Sequence, residues 1–377
     1  MNLFKSIKVI DSGKAILVTR KNGGSLRYHS TWLRDNANDP KTRDKNNGQR
    51  LISISDIPIN TYIKSASLDK KGKNITLNFL PKKKQIKFSV SWLEAHAYDK
   101  IQNNLKVWTH PDLITWSKAT LKRVPIINYK SAKSDNKLLL KWLKSLHRYG
   151  FAKMSGCGKK SGTVRKIAKL FGYIRETNYG KWFDVKLKSN AINLAYTNLA
   201  LKAHTDNPYR NPVPTIQILH CLKSSTKGGN SIVVDGFNAA FRLKRENKKY
   251  FNLLSKYCSR FEFIGKKNAH LKSRFPMIAL SPDGELTAIH FNNRSIAPTT
   301  DVPYNDMANY YKAYRKFSSI IDDPAMAFTF KLNPGECFIL DNTRILHART
   351  AYSGRGSRWL QGCYADKDGL LSTISIL

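Results

Sequence analysis

Acidic residues and cysteines are scarce in this chain. Its 377 residues carry 26 Asp and Glu against 65 Lys and Arg, a formal net charge of +39. The five cysteines, Cys157, Cys221, Cys258, Cys337 and Cys363, are odd in number, widely spaced and without a C-x-x-C pair. That pattern excludes a disulfide framework and a cysteine zinc cluster, and fits a reducing compartment. No run approaches the roughly 18 consecutive apolar residues of a membrane span. The opening MNLFKSIKVIDSGK has no signal-peptide apolar core, so the expectation is a cytoplasmic protein with no membrane partner. Repeats and low-complexity tracts are also lacking. A hydrophobic fraction of 41% supports a real core, which excludes a disordered basic tail.

The charge excess opens two readings. Clustered Lys and Arg neutralise phosphates, but the longest runs here are Lys82-Lys83-Lys84 and Lys70-Lys71 with Lys73, and there is no Arg-rich arm, zinc finger or ribonucleoprotein motif. A lysine-rich solvated surface is therefore favoured over a nucleic-acid face. A positive field would still draw small anions towards a cleft.

The apolar pattern divides the chain. Residues 1–105 predict a small β-rich domain, with strands Ala15–Thr19, Leu26–Trp32, Leu51–Ser55, Ile75–Leu80 and Ile86–Val90 and a helix over Ser91–Tyr98. Residues 106–125 predict a connecting segment, helical over Asp112–Lys122, and residues 126–377 a larger domain. Its first part predicts helices over Asn136–His147 and Thr163–Phe171. From Ala191 onwards short β-branched strands dominate: Ile216–Leu219, Ser231–Val234, Ile278–Leu280, Thr287–Phe291, Ala327–Leu332, Cys337–Leu340 and Trp359–Tyr364, interrupted only by helices over Ala239–Tyr257 and Asn305–Ile321. Short strands with Pro and Gly turns predict a mainly β fold with flanking helices, a barrel or jelly roll.

Chemistry concentrates at His204-Thr205-Asp206. At a strand end, residues i and i+2 project to one side, so an imidazole and a carboxylate can grip one ion. A second His-x-Asp, His110-Pro111-Asp112, reads as a turn. A 2-His-1-carboxylate iron site needs another histidine from a distant strand, and an enzyme using 2-oxoglutarate also needs a fixed cation for that molecule's far carboxylate. Among histidines after His204, His347 is the one followed at the required interval by an arginine, Arg358. Its guanidinium is suited to forking around a carboxylate. His220, in an apolar strand, reads as a core histidine. His29, His96, His147, His270 and His290 lack ligand spacing.

These motifs occur in order with others: Asn193-Leu194-Ala195-Tyr196-Thr197, Asn207-Pro208-Tyr209, Gln217 to Leu222, Val234-Asp235-Gly236-Phe237, Phe291-Asn292-Asn293 and Gly362-Cys363-Tyr364-Ala365-Asp366. Trp32-Leu33-Arg34-Asp35-Asn36 and Gly48-Gln49-Arg50-Leu51 precede them. Together they resemble the γ-butyrobetaine dioxygenase family, a branch of the taurine-dioxygenase-like Fe(II)/2-oxoglutarate oxygenases, over nearly the whole chain. The resemblance implies a distorted double-stranded β-helix with His204, Asp206 and His347 on iron(II), Arg358 on 2-oxoglutarate, O2 as oxidant, a small-molecule substrate, no nucleic acid and a homodimer. It also marks a departure. Carnitine-forming relatives hold zinc in the small domain through three Cys and a His, and the matching positions here are Ala37, Asp39, Thr42 and Lys84. No zinc is expected there.

The family binds trimethylammonium groups in an aromatic cage, and Tyr179, Phe183, Tyr196 and Tyr364 fall on its positions; the alternative is an ordinary aromatic core. Cation–π attraction suits a cation with no N–H to donate. Asn193 and Asn293 match residues holding a substrate carboxylate. Asn207, Tyr209 and Arg294 resemble instead the bacterial branch that hydroxylates 2-(trimethylammonio)ethylphosphonate, where Asn, Tyr, Asn and Arg grip the phosphonate. Arg294 has a competing reading as a structural arginine in a turn. The expected reaction is hydroxylation at the second carbon from nitrogen, on the phosphonate or, as the alternative, on γ-butyrobetaine to give carnitine. A remoter alternative is a nucleic-acid-binding protein on a decayed oxygenase fold.

Overall fold

A computed structural model describes residues 3–99, 111–186, 197–265, 269–353 and 356–377. The chain divides into two compact units, Met1–Lys106 and Val107–Leu377.

The first unit holds two three-stranded antiparallel sheets. One comprises Phe4–Ile10, Ala15–Arg20 and Ser25–His29; the other comprises Tyr62–Leu68, Asn74–Leu80 and Lys84–Ser89. Alternation in the strands (Ile75, Leu77 and Phe79; Ile86 and Phe88) turns one face of each sheet into a shared core with Ile16, Val18 and Tyr28. Two sequence expectations change here. The strand expected to run to Trp32 ends at His29, and Ser30–Asp35 is a helix whose buried Ser30 Oγ donates to the Thr61 carbonyl. Leu51–Ser55 forms no strand; Leu51 and Ile54 are exposed, and Ser53 caps a short 3-10 turn with Asp56.

The second unit is a double-stranded β-helix. Its larger sheet runs in the order Phe183–Lys186, Arg358–Ala365, Ile216–Ser224, Cys337–Asp341, Phe151–Ser155, Ile126–Asn128, with Ile174–Arg175 beside Arg358–Ala365. The smaller sheet runs Leu201–His204, Ile345–Arg349, Ser231–Asp235, Ala327–Phe330. Leu201–His204, Ile216–Ser224 and Ser231–Asp235 alternate between the two sheets, as do Ala327–Phe330, Cys337–Asp341, Ile345–Arg349 and Arg358–Ala365, the winding of a jelly roll. Period-two alternation then sorts the larger sheet. Ile216, Ile218, Ile339, Cys363 and Ala365 meet the helices Asn136–Tyr149 and Thr163–Ala168. The intervening Leu219, Phe338, Leu340 and Leu360 form a separate cluster with Val233 of the smaller sheet. The helices Gly236–Glu246 and Tyr304–Ile321 pack with Val234, Ala203 and Leu346 of the smaller sheet.

Local chemistry explains where the patterning misleads. The helix expected over Asp112–Lys122 is absent: Trp116 is buried, its backbone N–H donates to Asp235 Oδ2 and its indole to the Tyr149 carbonyl, which draws the segment out. The expected single helix over Ala239–Tyr257 is two, Gly236–Glu246 and Lys248–Lys256, because the Asn247 side chain accepts from the Tyr250 N–H and starts the second. The C-terminal stretch, read as strand only, also contains the helix Lys367–Ile376.

Candidate metal and cosubstrate site

Strand pairing assembles the site. His204 and His347 lie directly opposite each other in adjacent antiparallel strands, a position that puts both side chains on one face. Their rings stand 4.3 Å apart. After His204 the chain leaves the sheet, and Asn342, fully buried, pins the turn: its Oδ1 accepts from the Asp206 N–H (2.7 Å) and its Nδ2 donates to the Asp206 carbonyl (2.9 Å). Thr205 exchanges backbone and hydroxyl hydrogen bonds with Phe291. Asn207 then adopts a left-handed conformation, φ +53°, one that Asn tolerates better than most residues. Asp206 is thereby turned back onto the histidines, its Oδ1 3.3 Å from His204 Nε2 and 3.8 Å from His347 Nε2.

This donor set fits a metal ion. One ligand atom from each of His204, Asp206 and His347 lies within 4.8 Å of the others. His204 Nδ1 meets the Lys202 carbonyl at 2.8 Å, which makes Nδ1 the protonated nitrogen and leaves the Nε2 lone pair directed at the cluster. Burial, reinforced by the neighbouring His204, pushes the His347 imidazole down to about 3, and burial followed by the Arg294 charge lowers His204. Both rings are therefore neutral ligands at neutral pH. Burial alone would raise the Asp206 carboxyl, but the hydrogen bond with His204 and the nearby His347, His204 and Arg294 charges outweigh it and hold the acid well below the carboxylate range. Two neutral imidazoles and one carboxylate suit iron(II).

Arg358 opens the strand Arg358–Ala365 and is buried, lining the same cavity of about 510 Å³ as the triad. Burial, then the like charge of Arg349, lowers its guanidinium to about 10, so it stays charged at neutral pH. Its side chain lies along Gly229 (φ +65°), where an added Cβ would meet Arg358 Cδ at 3.1 Å and Nε at 3.2 Å. A buried guanidinium facing a cavity fits the far carboxylate of 2-oxoglutarate.

Aromatic residues line the cavity too. Phe183 sits opposite Gly362, where any Cβ would come within 2.6 Å of its ring; the bare glycine lets Phe183 approach Tyr364, 5.2 Å between centroids. Tyr179 lies 5.8 Å from Phe183, and its hydroxyl is 3.0 Å from that of Tyr209. Tyr209 in turn donates to Asn207 Oδ1 at 2.5 Å. Asn207 Nδ2, Gln217 Oε1 and Ser295 Oγ, all buried on the cavity wall, have no hydrogen-bond partner among the described residues. Arg294 also lines it.

Of the residues singled out from the sequence, the cavity brings together His204, Asp206, His347, Arg358, Tyr179, Phe183, Asn207, Tyr209, Arg294 and Tyr364. Asn193 and Tyr196 lie outside the described residues. Asn293 is not on the wall: it is exposed and its Oδ1 accepts from the Tyr314 hydroxyl. The wall position belongs to Asn292, buried, with Nδ2 on the Thr205 carbonyl. Adjacent residues at a turn face opposite ways, so the sequence match could not separate them. Sequence reasoning also passed over Gln217, Phe263, Ser295 and Arg349, all on the wall. For Gln217 a signal existed, an amide set in the apolar run Ile216-Gln217-Ile218-Leu219. His220, read as a core histidine, is fully buried with Nε2 on the Gly158 carbonyl.

In the first unit, Lys84 Nζ lies 2.9 Å from Asp39 Oδ1 and 3.0 Å from Thr42 Oγ1, and Thr42 Oγ1 donates to Asp39 Oδ2 at 2.6 Å, with Ala37 and Thr42 fully buried. An ammonium and its acceptors fill this cluster, with no sulfur or imidazole donor among Ala37, Asp39, Thr42 and Lys84. No helix among the described residues is long and apolar enough to cross a membrane.

Comparison with known proteins agrees with this geometry. The model of the taurine catabolism dioxygenase TauD, TfdA family matches residues 118–364. The γ-butyrobetaine dioxygenase of Pseudomonas sp. (strain AK-1) is 32% identical over 364 residues, covering 96% of this chain and 93% of that protein. The human γ-butyrobetaine dioxygenase is 32% identical, covering 93% and 91%. Human mitochondrial trimethyllysine dioxygenase is 30% identical, covering 93% and 83%. The match over most of its length and the triad it carries establish that the chain belongs to the TauD/TfdA family and is an iron(II)- and 2-oxoglutarate-dependent dioxygenase.

Proposed function

We propose that this enzyme hydroxylates a small trimethylammonium zwitterion at the second carbon from nitrogen, and that the substrate is 2-(trimethylammonio)ethylphosphonate. Bound iron and 2-oxoglutarate supply the oxidising power: O2 and 2-oxoglutarate become succinate and CO2 while one C–H of the substrate becomes C–OH. The chain's share is to bind, orient and shield. His204, Asp206 and His347 would hold the iron and Arg358 the cosubstrate's far carboxylate. Tyr179, Phe183 and Tyr364 would offer aromatic faces to the quaternary ammonium, which cannot donate a hydrogen bond.

The observation that carries the choice of anion is that Arg294 and the unpartnered Asn207 Nδ2 both line the cavity that also holds the aromatic faces. A guanidinium and an amide donor lining one cavity favour a near-dianionic phosphonate over a monoanionic carboxylate. Tyr209, whose hydroxyl meets both Asn207 and Tyr179, would keep that amide pointed. Fixing the cation presents the same carbon in both candidate substrates, so discrimination rests on the anion end, and γ-butyrobetaine is the second reading, favoured by the curated relatives.

Succinate release from 2-oxoglutarate with each of the phosphonate, γ-butyrobetaine and trimethyllysine tests the assignment. Stimulation by the phosphonate is expected to be greatest, and no stimulation by any of the three overturns it. Arg294→Ala is expected to lower phosphonate turnover about tenfold or more beyond its effect on γ-butyrobetaine; equal losses remove the preference.

A further inference from the structure

Asp206 presents its two oxygens to different partners. Oδ1 faces the two histidine nitrogens, while Oδ2 accepts from Gln217 Nε2 at 2.7 Å and from the Tyr364 hydroxyl at 2.8 Å. We infer that Gln217 and Tyr364 are positioning residues that hold Asp206 as a one-oxygen metal ligand, and that Tyr364 links that ligand to the aromatic wall of the cavity.

The fold dictates this clamp. Gln217 and Tyr364 are direct partners in the antiparallel strands Ile216–Ser224 and Arg358–Ala365, so both project from the same face. Their neighbours Ile216, Ile218, Cys363 and Ala365 point the other way, into the helix-covered core, which fixes the register: a slip by one residue would bury the amide and phenol outside and bring aliphatic chains against the carboxylate. The 2.7 and 2.8 Å contacts are charge-assisted hydrogen bonds to a carboxylate held ionised, the strong class. An oxygen that already accepts two such bonds is a poor second ligand. Asp206 would therefore occupy a single coordination position, which leaves room on the metal for a two-point cosubstrate and O2.

The second half of the inference rests on the cation-cage reading above. The Tyr364 ring stands 5.2 Å from Phe183, while its hydroxyl bonds the metal carboxylate. One side chain thus belongs to both the wall offered to the cation and the shell around the metal. A ligand pressing on the ring acts on Asp206 through a single rigid phenol.

Titration of the metal-stripped full chain with Co(II), followed by its visible absorption, tests the clamp without turnover or substrate. Tyr364→Phe, which keeps the ring, and Gln217→Leu, which keeps the bulk, are each expected to weaken Co(II) binding about 10- to 100-fold, with far-UV circular dichroism unchanged for Tyr364→Phe. Binding within about twofold of the parent in both variants overturns the clamp. The link is tested by adding tetramethylammonium to the Co(II) protein. A shift in the Co(II) bands of the parent that disappears in Tyr364→Phe is expected, and an undiminished shift in that variant overturns it. No shift in the parent also overturns the link, while weakened metal binding in both variants still supports the clamp.

Discussion

Two aspartates, one in each unit, sit in polar clusters built from similar parts, and the difference between them separates a brace from a binding site. Asp39 brings its cation with it: Lys84 Nζ lies 2.9 Å away, and Thr42 joins acid and ammonium. Every strong acceptor there is used within the chain. Asp206 faces two neutral imidazole nitrogens, and among the described residues no lysine or arginine forms an ion pair with it. The Arg294 charge acts on the cluster, but among the described residues no cation of the chain's own is bonded to these donors. A carboxylate with an internal cation needs no ion; one whose open oxygen faces imidazole lone pairs is completed by a metal.

The comparison can be broken most severely at the second cluster. Asp206→Ala or His347→Ala should reduce substrate-stimulated succinate formation to background and abolish tight Co(II) binding, measured by turnover and by metal titration, since each removes one of only three ligands. Arg358→Ala should leave Co(II) binding intact and raise the KM for 2-oxoglutarate about 10- to 100-fold, the worth of a buried charge-assisted contact. Gly229→Ala should move in the same direction by about tenfold or less, because the new Cβ would crowd the Arg358 side chain from a left-handed backbone position.

Acid should sharpen the contrast. Burial depresses His347 to about 3 and lowers His204, against an ordinary value of 6.5. The unfolded chain then binds protons below about 6.5 while folded His347 refuses them until about 3. Stability of the metal-free protein from this source is complete above pH 6.5 and falls as the pH drops from there towards 3. For Asp39, burial opposes ionisation, but the hydrogen bonds from Thr42 and Lys84 prevail and its carboxyl is lowered from 3.8. Its contribution is present above 3.8 and lost only at lower pH. Thermal melts of the metal-stripped chain from neutral pH to about 4.5 should show the loss, and His347→Gln should flatten it.

The smallest effect belongs to the first cluster. Lys84→Met should cost about 1 kcal/mol, because both partners are one-fifth exposed and the pair is partly screened, and should leave Co(II) binding unchanged. A melt and a metal titration on one variant check both. A large loss of metal binding would mean that the two clusters are not independent.

Much of this was legible in the chain. His204-Thr205-Asp206 is local, and Arg358 stands directly before the expected strand Trp359–Tyr364, whereas the strand Ile345–Arg349 that carries His347 was not expected from the pattern. The helices over 136–149 and 304–321 follow from their 3.6-residue apolar spacing. Where local pattern competed with a distant partner, the partner won. Trp116 is drawn out of a helix by Asp235 and the Tyr149 carbonyl, and Ser30 leaves its strand to reach Thr61. The exchange of Asn293 for Asn292 on the cavity wall has the same origin: both are asparagines in a turn, and only the bond from Asn292 to Thr205, far away in sequence, decides which faces inward.

Residue identity and spacing settle the donor types, their order and the family. They also settle that the small unit lacks a sulfur ligand set at Ala37, Asp39, Thr42 and Lys84. Long-range packing alone brings these last residues together around an ammonium, and sets Gln217 and Tyr364 on one oxygen of Asp206. The reason is register. Which side chains face each other across a sheet depends on how strands far apart in the chain align, and a shift of one residue reverses every face.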